Sequence, residues 1–167
     1  MVVAEKMLEF ARVGPDDVVY DLGSGDGRIV ILAAQKYGAR GVGIELDSKL
    51  AGQSQEEVKK LDLQGQVRVI EGDILDQDLS PATVVTIYMD PRAMSTLRPH
   101  LEKTLRHGTR VVICEGEMPG WKPAATTTAF DEDKKAFPLN LYVMSASGDW
   151  TSFSKFGRSP QKSDRPR

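Results

Sequence analysis

The chain has 167 residues, a length that fits one domain around one hydrophobic core. Its composition, with 40% hydrophobic and 28% charged residues and a net charge of −2, is ordinary for a soluble globular protein, and one cysteine excludes an internal disulfide. No apolar run approaches the roughly 20 residues needed to span a bilayer and the first residues lack the pattern of a signal peptide, so we expect a cytoplasmic protein without membrane insertion.

The first predicted elements are an amphipathic helix, a strand and a second helix, with a glycine-rich turn before the second helix. Apolar residues between positions 3 and 11 recur at helical spacing. Residues 18–22 form the first strand, and residues 27–36 form a helix that is apolar nearly all round and stops at Gly38. Between them lies the sequence Asp-Leu-Gly-Ser-Gly-Asp-Gly-Arg at 21–28, in which glycines let the backbone approach a ligand closely.

The spacing of the three glycines separates this turn from a dinucleotide-binding turn. Gly23, Gly25 and Gly27 follow one another at intervals of two, whereas the dinucleotide pattern places the third glycine three residues after the second. Asp21 precedes the first glycine. A carboxylate at this place suits the charged end of an amino acid better than it suits a pyrophosphate.

Two further acidic residues stand at the ends of predicted strands. The strand at 40–45 ends in Glu45, eighteen residues after Gly27, where an α/β nucleotide fold places the acid that accepts ribose hydroxyls. The strand at 67–71 leads into Asp73. Either acid alone is more often a solvated turn residue or a helix cap, but three acids in order at three strand ends indicate one shared ligand.

The elements between and after these acids continue the alternation of strands and helices. Asp47 or Ser48 caps a helix between the second and third strands. The predicted core face of that helix consists of Leu50, Ser54, Val58 and Leu61. Residues 83–89, rich in β-branched side chains, form a central strand. Pro99 begins the next helix, and residues 110–114 form a fifth strand.

The last predicted elements form a hairpin. Turn signals at 121–123 and 137–138 accompany two strands, at 124–130 and 139–147. The whole pattern predicts a Rossmann-like, doubly wound α/β fold with a mostly parallel seven-stranded sheet and an antiparallel C-terminal hairpin. Because ligands bind such sheets beyond the carboxyl ends of the strands, the residues at those ends should surround one crevice.

The domain organisation follows from the charge distribution. Residues 148–167 carry five basic and two acidic side chains, a net charge of +3, which leaves −5 for residues 1–147. We therefore expect one domain at 1–147 and a flexible basic tail at 148–167. The domain shows no interleaving of basic and aromatic residues, so nucleic acid is not an expected partner.

The glycine turn at 21–28 resembles motif I of the class I S-adenosylmethionine (SAM) methyltransferases. The second half of the chain is similar to one group of small enzymes in that class: the archaeal broad-specificity protein-lysine methyltransferases and the mitochondrial lysine methyltransferase acting on the ATP synthase c-subunit. The resemblance covers residues 3–145. The stretches that carry it in the second half are 84–88, 97–105, 108–112, 120–123 and 141–143.

This resemblance implies SAM as cofactor, S-adenosylhomocysteine as product, and no metal. It places Asp21 near the methionine end, Glu45 on the ribose and Asp73 near the adenine amino group. The full set of cofactor-binding residues that it implies is Asp21, Gly23, Ser24, Gly25, Gly27, Glu45, Leu46, Asp73 and Ile74.

The same resemblance implies transfer of the methyl group to an exposed lysine of a protein partner. It places Tyr88, at the end of the fourth strand, beside the transferred methyl group as the candidate catalytic residue, although a tyrosine there also suits the edge of a core. Glu115, Glu117 and Trp121 are candidate substrate contacts; the two acids can also be ordinary loop residues and Trp121 a core residue. We expect a monomer or a weak oligomer.

Two other functions remain open at this point. The chain can be a small-molecule methyltransferase or a SAM-binding module without catalysis. The motif Asn-Pro-Pro-Tyr, found in many enzymes that methylate amides or adenine, is absent after the fourth strand. Met89-Asp90-Pro91-Arg92 stands in its place, which argues against those acceptors.

Overall fold

The structure, a computed structural model, describes residues 2–145. The helices of this part are α1 (Val2–Phe10), α2 (Arg28–Tyr37), α3 (Ser48–Lys60) and α4 (Met94–Thr104). Its strands are β1 (Val18–Leu22), β2 (Arg40–Glu45), β3 (Val67–Glu71), β4 (Val84–Ile87), β5 (Arg110–Cys114), β6 (Ala125–Phe130) and β7 (Ala136–Val143). The basic tail predicted at 148–167 lies outside the described residues and stays a prediction.

The strands form one sheet in the order β3-β2-β1-β4-β5-β7-β6. β1 to β5 are parallel, and β7 lies antiparallel between β5 and β6. The predicted Rossmann-like fold with its C-terminal hairpin is confirmed. The strand order reverses between β1 and β4, and ligands bind open sheets of this kind beyond that switch point. Asp21 of β1 and Thr86 of β4 are paired there.

The two faces of the sheet are covered by different helices, as the alternation of side chains along each strand requires. Val19 of β1 packs in the cluster that contains α1 and part of α2. Tyr20 and Leu22 pack in the cluster that contains α4. No helix among residues 2–145 is long and apolar enough to cross a membrane.

The helix α2 has the predicted character and stop. Five of its ten residues are buried, and Gly38 ends it in the left-handed conformation, with its N–H directed at the carbonyls of Ala33 and Ala34. The helix lies so close to β2 that a Cβ on Gly41 would come 2.7 Å from Val30 Cβ. This close packing fixes the start of α2, and therefore the glycine turn before it, against the sheet.

Asp47 is the residue that caps α3, and its side chain accepts hydrogen bonds from the N–H groups of Lys49 and Leu50. The predicted core face is partly wrong. Ser54 and Val58 are buried, but Ala51 is buried as well, while Leu50 and Leu61 are each 38% exposed. Leu50 instead lines a cavity at the carboxyl end of the sheet.

Two predicted proline signals are corrected. Pro99 does not begin a helix: Asp90 caps a short 3-10 turn at Pro91–Ala93 that runs directly into α4, so Pro99 lies inside that helix. Residues 137–138 are not a turn but part of β7. The hairpin turns earlier, at 131–135, where the Asp131 side chain accepts hydrogen bonds from two backbone N–H groups.

Candidate active site

A cavity of about 610 Å³ opens beyond the carboxyl ends of β1 and β4, within the range of about 300–1,000 Å³ that small-molecule sites occupy. Its walls come from α1, the glycine turn, the start of α2, and the β6–β7 hairpin. The lining residues that bear on function include Met7, Asp21, Ser24, Gly25, Tyr88, Asp131 and Phe137. The contributions of α1 and of the hairpin were not predicted from the sequence.

The glycine turn forms one wall of this cavity. Gly25 has a φ of 54°, and a Cβ built on it meets no protein atom within 4 Å, so its open side faces free space. A Cβ on Gly27, by contrast, would come 2.1 Å from Ser54 Oγ. Gly25 therefore serves the cavity, whereas Gly27 permits α2 and α3 to pack together.

Asp21 lies at the inner end of the cavity and is 3% exposed. Thr86 Oγ1 donates a hydrogen bond of 2.6 Å to Asp21 Oδ1. Burial raises the pKa of Asp21 to about 7, against the lowering effect of the Thr86 hydrogen bond. A cationic group placed in the cavity would stabilise the carboxylate, so Asp21 suits the ammonium group of an amino acid.

Glu45 is held in place by two backbone groups. Its Oε2 accepts a hydrogen bond of 2.7 Å from the Gly25 N–H, and its Oε1 accepts one of 2.9 Å from the Asp47 N–H. A carboxylate has about four acceptor positions, so two remain for the hydroxyls of a ribose.

The other residues predicted to bind the cofactor follow the ends of β2 and β3. Asp73 is exposed and accepts a hydrogen bond of 2.9 Å from the Leu75 N–H, and Leu46 is 70% exposed. With Glu45 and the half-buried Ile74, these residues are not among the described residues that line the 610 Å³ cavity. They form a solvent-accessible surface at the ends of β2 and β3.

Tyr88 and Phe137 line the cavity, and Glu115 is the hydrogen-bond partner of Tyr88. The Tyr88 hydroxyl donates a hydrogen bond of 2.8 Å to Glu115 Oε2, and the Phe137 ring lies edge-on to Tyr88 at 6.3 Å between centroids. Burial, followed by the nearby Glu115 carboxylate, raises the pKa of Tyr88 to about 12. Tyr88 is therefore a neutral hydrogen-bonding group at physiological pH.

The structure places Trp121 in the core rather than in this cluster. Trp121 is 7% exposed, and its indole N–H donates a hydrogen bond of 2.8 Å to Glu102. Its ring packs against Tyr142, so the core interpretation replaces the predicted substrate contact. Glu117 is exposed, and its contact with substrate stays a prediction.

A sheet of this order, with a glycine turn at its switch point and acids at the ends of β1 and β2, defines the class I SAM-dependent methyltransferases. Residues 21–125 match the profile of the ANTKMT methyltransferase domain, and the chain belongs to this family of methyltransferases.

Two curated relatives and one solved structure illustrate the similarity. The protein-lysine N-methyltransferase of Saccharolobus islandicus (strain REY15A) is 41% identical over 143 residues, covering 85% of this chain and 88% of that protein. The Rattus norvegicus lysine N-methyltransferase named for the ATP synthase c-subunit is 37% identical over 122 residues, covering 73% of this chain and 54% of that protein. The chain thus spans about half the length of the rat relative.

The solved structure is an RNA methyltransferase from Salinibacter ruber in complex with S-adenosyl-L-homocysteine. It superposes with a TM-score of 0.79 at 37% sequence identity, and the match covers 98% of this chain and 96% of that chain.

The protein uses SAM as its methyl donor, and the residues of the crevice fit this cofactor. Asp21 presents a buried carboxylate to the cavity, and open space lies beside Gly25. Ser24 Oγ, also in the cavity wall, is buried without a hydrogen-bond partner among the described residues. No group of three or more metal-ligating side chains occurs among residues 2–145.

Proposed function

We propose that this methyltransferase acts on lysine side chains of a protein. The observation that carries this acceptor is the cluster of Tyr88, Glu115 and Phe137, since a carboxylate beside two aromatic rings attracts an amine that arrives as a cation. The two relatives named for lysine methylation support the same acceptor.

In this proposal the cofactor lies across the ends of β1, β2 and β3. Asp21 binds its amino group, and Glu45 binds the ribose hydroxyls. The remaining residues proposed to contact it are Gly23, Ser24, Gly25, Leu46, Asp73 and Ile74. Gly27 supports the turn through its contact with α3 rather than by touching the ligand.

The chain's own residues then hold the acceptor in line. When bound, SAM would supply a methyl carbon on a positively charged sulfur: a neutral amine attacks that carbon, the C–S bond breaks with its electron pair left on sulfur, and S-adenosylhomocysteine leaves. Glu115 attracts the incoming ammonium group, and Tyr88, kept protonated by its raised pKa, offers its oxygen to that group. The proton of the ammonium group leaves to solvent before the attack, because the nitrogen needs its lone pair.

Because the amine must lose its proton, the methylation rate should rise with pH between about 7 and 9. Lysine has an ordinary pKa of about 10.4, so the neutral fraction grows about tenfold for each pH unit below that value. Tyr88 does not titrate in this range. Single-turnover rates at saturating SAM measure the effect, and a flat profile in a rate-limiting chemical step would contradict a lysine acceptor.

Tyr88→Phe should lower kcat by about threefold to tenfold, the effect of one lost hydrogen bond, and leave SAM affinity unchanged. Tyr37→Phe is a matched control, since the Tyr37 hydroxyl is buried without a hydrogen-bond partner among the described residues. Steady-state assays of both variants measure kcat, and calorimetry measures their affinity for SAM. Equal kcat values for the two variants would remove Tyr88 from the reaction.

RNA is the second candidate acceptor, because the Salinibacter ruber structure is described as an RNA methyltransferase. The charges at the crevice do not favour it. Arg28 and Arg92 are each paired with an aspartate, Asp26 and Asp90, so a carboxylate largely balances the charge of each arginine. The predicted domain at 1–147 carries a net charge of −5, which repels a nucleic-acid backbone.

Incubation of the protein with labelled SAM and cell extract distinguishes the acceptors. Label that protease removes and nuclease does not would support a protein acceptor. Label that nuclease removes would identify RNA, and label in small solutes would identify a small-molecule enzyme. Asp21→Asn, which is expected to bind SAM poorly, is the control. If the wild-type protein bound SAM normally but gave no labelled product, a binding module without catalysis would be favoured.

A further inference from the structure

The acceptor end of the site contains a lysine of the chain itself. Lys135 Nζ lies 4.6 Å from the centroid of the Phe137 ring and 3.9 Å from Glu115 Oε1. Glu115 in turn accepts the hydrogen bond from Tyr88, and Tyr88 lies edge-on to Phe137. The four side chains thus form a closed cycle of contacts, in which the ammonium group lies between a carboxylate and an aromatic face.

The backbone brings Lys135 to this position. The Asp131 carboxylate accepts a hydrogen bond of 2.8 Å from the Lys135 N–H, which fixes the end of the β6–β7 turn. Residues two apart on an extended chain point to the same side, so the Lys135 side chain projects alongside Phe137.

The backbone also fixes the position of Glu115 in this cycle of contacts. Glu115 has a φ of 55°, an uncommon conformation for a residue with a side chain, and its N–H donates a hydrogen bond of 2.9 Å to the Pro138 carbonyl. The carboxylate that faces Tyr88 and Lys135 is therefore set by the turn after β5 and by its contact with β7.

We propose that Tyr88, Glu115 and Phe137 form the subsite for the ammonium group of the acceptor and that Lys135 fills this subsite as an intramolecular substitute. This inference rests on the proposed lysine acceptor. A substrate lysine then has to displace Lys135. Because the Lys135 side chain is 62% exposed and its contacts are weak, displacement is easy, and Lys135 tunes the affinity for substrate without blocking the site.

Lys135→Met tests this proposal, with Lys134→Met as the matched control one residue away. The substrate is a capped peptide with one lysine between glycine and alanine residues. We expect Lys135→Met to lower the KM for this peptide by about threefold to tenfold with kcat unchanged, the range that a weak cation–π contact and an exposed ion pair allow. Lys134→Met should leave both parameters unchanged.

A binding measurement without turnover gives the second readout. In the NMR spectrum of the full chain, the ε-CH₂ signal of Lys135, identified by its loss in Lys135→Met, should be shifted upfield by the Phe137 ring. Titration with n-butylammonium, which has the shape of a lysine side chain, should move this signal to its random-coil position. The Lys135→Met variant should bind n-butylammonium more tightly by the same factor as its KM falls.

The two readouts separate this inference from the proposed function. Peptide methylation with the same KM in both variants, or an unshifted Lys135 signal, would overturn the inference and leave the lysine acceptor intact. If no variant methylated the peptide but n-butylammonium still displaced Lys135, the proposed lysine acceptor would be overturned. The subsite would then still be one that binds ammonium groups and that Lys135 occupies.

Discussion

Asp21→Asn should stabilise the protein without SAM at pH 8 and at the same time weaken its binding of SAM. Burial raises the pKa of Asp21 from 3.8 to about 7, so the folded chain holds this proton more tightly than the unfolded chain does. The stability of the wild type therefore falls as pH rises from about 4 to about 7, by up to about 4 kcal/mol at 1.36 kcal/mol per unit. Asparagine carries no charge and avoids this loss.

Thermal melts of the two proteins without SAM check the first half of this prediction. The melting temperatures should agree near pH 4 and diverge above it, with the variant higher and the full difference reached above about pH 7. Calorimetry checks the second half: losing a charge-assisted hydrogen bond, worth about 1.5–3 kcal/mol, should weaken SAM binding by about tenfold to a hundredfold.

Asp26→Asn is the control for the melts. The Arg28 guanidinium holds the pKa of Asp26 below its ordinary value, so removing that charge should not raise the melting temperature at pH 8. If Asp21→Asn melted no higher than the wild type at pH 8, the buried carboxylate would not be the destabilising group.

Glu45→Ala should weaken SAM binding by about tenfold or more. The variant loses the proposed acceptor of two ribose hydroxyls, at about 1.5–3 kcal/mol, and it also leaves the N–H groups of Gly25 and Asp47 without their carboxylate. Isothermal titration measures the change in affinity for SAM.

Glu71→Ala is the matched control, because Glu71 stands opposite Glu45 on the adjacent strand β3 and bonds Ser48 instead of the glycine turn. We expect unchanged SAM affinity in that variant. Similar affinities for the Glu45 and Glu71 variants would show that Glu45 does not hold the ribose.

The parts of the fold set by local pattern were predictable from the sequence. The glycine turn and the stop at Gly38 depend on residues close in sequence and were identified correctly, and the cap of α3 was narrowed to Asp47 or Ser48. Pro99 was misassigned because proline favours the first turn of a helix, while the turn that starts α4 begins at Asp90. A short-range signal gave no means of choosing between two prolines eight residues apart.

The parts of the site set by strand pairing were harder to predict. Thr86 was missed because it is one hydroxyl in an apolar strand. Its role as the hydrogen-bond donor to Asp21 depends on the strand register, which places the two residues opposite each other. Phe137 was taken as part of a turn, although β7 carries it to Tyr88. For Trp121 the sequence favoured a core position over a substrate channel, and its packing places it in the core. The cytoplasmic location and the oligomeric state stay predictions.

Thr86 and Tyr88 lie two residues apart at the end of β4, and this short separation joins the donor and acceptor halves of the site. Thr86 holds the carboxylate proposed to bind the cofactor, and Tyr88 belongs to the cluster proposed to bind the acceptor. Thr86 lies inside β4, where pairing with β1 and β5 holds it, and Tyr88 follows directly after the last paired residue, Ile87. In the proposed site, the loops after β5 and β6 can therefore change to admit another acceptor without disturbing the strand that places Thr86 against Asp21.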